Sequence, residues 1–232
     1  MSTTGQRLRA APTADVESSR ASQVRAGVRV EMVTVVWMVI EAVVAIGAGV
    51  LAASVLLTAF GIDSVIELVT GGALLWRLAT EARGGDLARV ERAENRAAWV
   101  TGIGLVALCL YVVASVAFGL LTHSKPEGSP VGIGLSIAAL VIMPILAWRK
   151  RTIAARIDSA ALRGDAACSL TCAYMAGALL VGLALNAAFQ WWWADSVAAL
   201  GLLYWLIPEA REALEGARAG RGGCSCGDSC HA

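Results

Sequence analysis

Residues 59–72 read AFGIDSVIELVTGG. The stretch lies inside a long apolar run, yet it carries two carboxylates, Asp63 and Glu67. Four residues apart, they share one face of a helix, one turn from each other. No Lys or Arg occurs from Val30 through Trp76, so no local cation neutralises them. A carboxylate at mid-bilayer depth costs at least about 2.5 kcal/mol on the mildest insertion scale. Residues that costly are kept for function, and the rest of the chain reads as organised around this pair.

Composition supports a membrane setting. The 232 residues are 57% hydrophobic and 16% charged, with a mean hydropathy of +0.66. That is the make-up of an integral membrane protein and not of a soluble enzyme. The net charge of +1 says nothing about partners. The six Cys do not form an evenly spaced secreted framework, which favours thiols or metal ligands over disulfides.

Outward from the pair, six apolar segments of spanning length or near it succeed one another. About 20 apolar residues cross a bilayer. The first span runs from Met32 to about Ala53, with Glu41 near its middle, and the second from Ser54 to Leu78. A charged connector of mixed sign, residues 80–96, leads to a charge-free third span, Ala97 to Leu121. His123 sits in the short loop after it. Val131 to Trp148 is a fourth span broken by Pro144, Ala166 to Phe189 a fifth, and Asp195 to Ile207 a short sixth ending at Pro208. Residues 190–193, QWWW, read as an interfacial aromatic belt. Residues 1–29, polar with five Arg and no apolar core, read as a disordered cytoplasmic tail and not a secretory signal. Residues 30–208 form the transmembrane domain, and 209–232 a cytoplasmic Cys-rich tail.

Eighteen of the nineteen Lys and Arg fall on one side of these spans; Lys125 falls on the other. By the positive-inside rule both termini are cytoplasmic. The expected fold is therefore an all-α membrane protein, a bundle of six transmembrane helices. At a rise of about 1.5 Å per residue, Glu41, Asp63 and Glu67 all come near the midplane. The fifth span enters from the inside as Gly164-Asp165-Ala166-Ala167-Cys168-Ser169-Leu170-Thr171-Cys172. Cys168 and Cys172 are one turn apart, and Asp165 lies on the same face. Two helices thus each offer a pair of metal-competent side chains at compatible depth, and a tetrahedral site needs four ligands. Cys109 reads as packing. In the tail, Cys224, Cys226, Cys230 and His231 are soft or borderline ligands close enough in sequence to capture a metal.

With its six spans, GIDSVIE in the second and a second pair one turn apart in the fifth, the chain resembles the cation diffusion facilitators, the cation-efflux transporters. The family's second helix carries Asp-x-x-x-Asp, which Asp63 and Glu67 match with one conservative change. Its fifth carries His-x-x-x-Asp, where this chain has Cys168 and Cys172. The family often places an Asp three residues before that His, and Asp165 fits. WWWADSVAALGLLYWL is similar to its sixth helix. The resemblance covers roughly residues 30–215. The family's usual cytoplasmic domain is not seen after the sixth span, so the chain resembles a small branch without it.

Residues and resemblance together lead to an expectation of divalent-cation export, not of enzymatic catalysis. The resemblance implies alternating access with proton antiport; the Ala-, Gly- and Arg-rich composition of the N-terminal tail points to a bacterial protein, and the expected location is the cytoplasmic membrane. Carboxylates and thiols must lose protons to bind a cation, so metal and protons compete for the same atoms. Two thiols favour Zn²⁺, then Cd²⁺, over Mg²⁺ and Ca²⁺. No cofactor is held permanently; Zn²⁺ is the expected cargo. Expected partners are the cation, protons, the lipid bilayer and, by resemblance, a second copy in a homodimer, with no nucleic acid. The rival reading is a non-transporting metal sensor or scaffold that uses the Cys-rich tail.

Overall fold

The computed structural model describes residues 11–85, 87–122, 128–189 and 191–219. These form six helices: α1 Ala11–Leu51, α2 Val55–Ala82, α3 Leu87–Thr122, α4 Pro130–Ile157, α5 Ala160–Phe189 and α6 Trp192–Arg218. Segments of α1 to α5 are long and apolar enough to cross a membrane. The outer faces carry many large apolar side chains: Val43, Leu110, Phe118, Trp148 and Tyr204 are all exposed. In water such a surface would aggregate. Around a bundle it is what hydrocarbon solvates, and helices are among the few structures that satisfy every backbone group there.

Turn chemistry sets the antiparallel order. Ala53, at a φ of 50°, reverses the chain sharply between α1 and α2. Ser54 then caps α2 by accepting from the Leu57 N–H. Asp195 of α6 adds to the same cap: Ser54 Oγ donates to its Oδ1, and the Val55 and Leu56 N–H groups donate to its Oδ2 at 3.0 and 3.3 Å. The orphan N–H groups of α2 and its positive dipole end are thereby met by a carboxylate from the last helix. Gly84, with φ +65°, turns α2 into α3. Ser129 caps α4, with Pro130 at its first turn.

α1, α2, α4 and α5 pack into one group, and α3 pairs with α6 alongside α2 and α5. The main core, with Phe60, Leu56, Met143, Met175 and Leu202, runs between the two groups. A second cluster, Val24, Leu74, Leu78, Ile153, Ile157 and Leu162, closes the end where the basic residues lie.

Three boundaries differ from the sequence expectation. Residues 11–29, expected to be disordered, continue α1 as helix, because Val24 is buried against α2, α4 and α5 at the basic end. The connector 80–96 is mostly helical, with its turn confined to a few residues about Gly84. Neither proline ends its helix: α4 continues through Pro144 and α6 through Pro208 to Arg218. Membrane helices tolerate proline because neighbouring helices and side chains re-satisfy the freed backbone groups.

Candidate functional site

Close approach of α1 and α2 builds the centre of the site. A Cβ on Gly61 would lie 2.8 Å from the Ile46 backbone nitrogen, and one on Gly49 would lie 2.7 Å from that of Thr58. Only glycine allows the two backbones so near. As a result Glu41 of α1 meets Ser64 of α2, whose Oγ donates to Glu41 Oε1 at 2.6 Å. Trp37 Nε1 donates to Glu41 Oε2 at 2.8 Å, and the Cys172 thiol of α5 donates to Oε1 at 3.6 Å. Glu41 is therefore held by three helices through three donors.

Asp63, one residue before Ser64, is treated differently. It is 1% exposed, and neither carboxylate oxygen has a hydrogen-bond partner among the described residues. Burying such an anion without partners is expensive. Glu67, one turn on, is also buried. The Cys172 thiol lies in the field of Glu67, Glu41 and Asp63 together. Acids of α1 and α2 and a thiol of α5 thus converge at one level of the bundle. Among the described residues no three His, Cys, Asp and Glu side chains are gathered tightly enough to hold a metal ion as they stand. Chemically the cluster can neutralise a cation with carboxylates and bind it with sulfur.

On the side away from the basic end lies a cavity of about 400 Å³ lined by Ser54, Thr58, Tyr111, Ser115 and Asp195. Val50, Val55 and Phe118 line it too, and Thr58 lies five residues before Asp63 on α2, so the cavity comes within about one and a half turns of the pair.

Residues 32–215 match the cation efflux transmembrane domain. The chain belongs to the cation efflux family. That family moves divalent cations across membranes, and its members are transporters and not enzymes. An uncharacterized transporter of Synechocystis sp. is 26% identical over 160 residues, which cover 68% of this chain and 52% of the relative. The chain spans about half the length of the curated relative it matches.

Within this cation efflux domain the remaining sequence candidates separate. Asp165 is not with the central acids. It pairs with Lys150 of α4, which also reaches Glu31 of α1 at 3.0 Å. Cys168, also buried, is hydrogen-bonded with Glu209 of α6. Cys109 of α3, read as packing, lies half-buried in the field of Asp63. His123, Cys224, Cys226, Cys230 and His231 lie outside the described residues.

Glu209 and the Glu31–Lys150 pair escaped the sequence reading. Glu209 follows Pro208, where the span was expected to end, and so read as tail. Yet it bears on Asp63 as well as on Cys168. The one signal for it was its place directly after a proline that a membrane helix can tolerate. Glu31 and Lys150 sit beside Arg residues near span ends, where charge is ordinary.

Proposed function

We propose that this cation efflux protein exports a divalent, thiophilic cation, with Zn²⁺ the leading cargo, in exchange for protons and by alternating access. The observation that carries the reading is Asp63: a buried carboxylate with no hydrogen-bond partner among the described residues, beside a Glu41 already satisfied by three donors. Such a group calls for a cation or a proton, and exchange of one for the other is antiport. Asp63, Glu67 and Cys172 form the proposed ligand set, with Glu41 bracing it and Cys168 beside it. The cavity at the far end and the basic residues at the near end support a pathway running from the cytoplasm outward. Residence in a bacterial cytoplasmic membrane, homodimer formation and metal capture by Cys224, Cys226, Cys230 and His231 belong to this reading.

The test is metal uptake into inside-out vesicles for Zn²⁺, Cd²⁺, Mn²⁺ and Mg²⁺, with and without a pH gradient. We expect Zn²⁺ and Cd²⁺ to be taken up and Asp63→Asn to abolish uptake at normal membrane levels. A charged ligand matters more than the outer-shell partners whose loss costs about 10–100-fold in affinity. Metal binding without flux in the intact protein would instead favour a sensor or scaffold.

A further inference from the structure

Lys150 is a fully buried charge outside the central site. Its side chain and that of Glu31 are both 0% exposed. The ammonium lies 3.0 Å from Glu31 Oε2 of α1, donates to Asp165 Oδ2 of α5, and reaches Ser169 Oγ of α5 at 3.2 Å. It is a cation in a cradle of oxygens from two helices, brought in by a third. Two carboxyl groups face one ammonium, and Glu31 and Asp165 also hydrogen-bond each other, which two carboxyls do only by sharing a proton.

Glu31 Oε1 is not used by this arrangement. It is buried and has no hydrogen-bond partner among the described residues. It faces α2 at Gly71, where an added Cβ would come within 3.2 Å of it. Gly71 is one helical turn from Glu67, on the same face of α2. Glu31 thus turns one oxygen to Lys150 and the other toward the turn below the proposed ligand set. Lys150 lies about two turns before α4 ends at Ile157. It is flanked by exposed Arg149 and Arg151. From there a lysine stem can carry its ammonium out to the polar boundary.

We propose that Glu31, Asp165 and Ser169 form an inner entry site for the divalent cation, in which the Lys150 ammonium is a tethered stand-in that the arriving ion displaces. The proposal rests on the transport reading above. A divalent ion in the cradle, with Lys150 swung outward and the shared proton released, cancels both carboxylates. A monovalent ion replaces the ammonium without displacing that proton, so proton release marks the divalent exchange. Glu31 Oε1 offers the ion its next contact toward Glu67, and Lys150 refills the cradle once the ion has moved on.

The experiment is calorimetric titration with Zn²⁺ alone of the purified full chain, its Cys224, Cys226 and Cys230 replaced by Ser and His231 by Ala. Lys150→Gln should bind one more Zn²⁺ per chain than this background. Adding Glu31→Gln to Lys150→Gln should remove the extra equivalent, and Asp63→Asn should leave it in place. Stoichiometry unchanged by Lys150→Gln, or an extra equivalent that survives Glu31→Gln, overturns the entry site. If Lys150→Gln is not monodisperse, Lys150→Arg decides. Its fixed guanidinium fork grips carboxylates more firmly, so half-saturating Zn²⁺ at the basic face of vesicles should rise about tenfold, and no rise overturns the proposal. Absence of flux in every form, with the extra equivalent intact, would count against transport and not against the inner site.

Discussion

Three acids in this bundle show how partners, more than residue type, set what a carboxylate can do. Glu41 accepts from an indole, a hydroxyl and a thiol, and is held as a fixture. Asp63 accepts from none of the described residues and is left to be satisfied by cargo or proton. Glu209 is intermediate: it is hydrogen-bonded with Cys168 while its charge bears on Asp63. A negative group so placed should strengthen cation binding at Asp63. Glu209→Gln is expected to weaken Zn²⁺ binding by about tenfold, within the range for groups just outside a ligand set. Glu212→Gln, one turn from the site, should change it much less. Titration of the two purified variants checks this, and equal effects would remove Glu209 from the site.

Among the helices, α1 and α2 decide the geometry. Their backbones touch at Gly49 and Gly61, and that contact lets Ser64 reach Glu41. A side chain on Gly61 has no space, since Ile46 and Ala45 lie within 2.9 Å of where its Cβ would be. Gly61→Leu must push the helices apart, at about 1–3 kcal/mol for overpacking. It should lower thermal stability in detergent and reduce flux. Gly47→Ala has nothing within 4 Å of its new Cβ and is the control. If both variants melt alike, close packing at Gly61 is not what holds α1 to α2.

At the scale of the whole molecule, orientation and coupling are at issue. The N-terminal half of α1, the α2–α3 turn, the α4–α5 turn and the end of α6 share one end of the bundle, and the Lys and Arg of the described residues belong to these segments. That end is expected to be cytoplasmic. Ala82→Cys, exposed at the end of α2, should resist an impermeant thiol reagent added to intact cells and react in inside-out vesicles. Reaction from outside would invert the bundle and the direction of transport with it. The coupling has a definite sign. Protons and metal compete for the same carboxylate and thiol atoms, so apparent affinity should fall as pH falls. The drop should be about tenfold per pH unit for each proton released on binding. Calorimetry from about pH 8 to 5.5, with the tail ligands replaced, measures it; a flat profile would argue that metal does not displace protons.

The membrane fold could be read from the chain alone. Spanning length, apolar composition and basic asymmetry are local properties that hydrocarbon selects directly. Asp63 and Glu67 stood out for the same reason: a charge within an apolar run is visible without knowing its neighbours. The partners were not legible. Asp165 matched a ligand pattern along α5, but a lysine on α4 claims it. Nothing along the chain marks Glu31 and Lys150, near the ends of spans, as partners; packing of three helices buries them together. Glu209 lay past a proline that reads as a stop, yet α6 continues because neighbouring helices hold it. Periodicity along one helix tells which side chains share a face. Which faces meet depends on where glycines let backbones close, and that is settled only when all the helices pack at once.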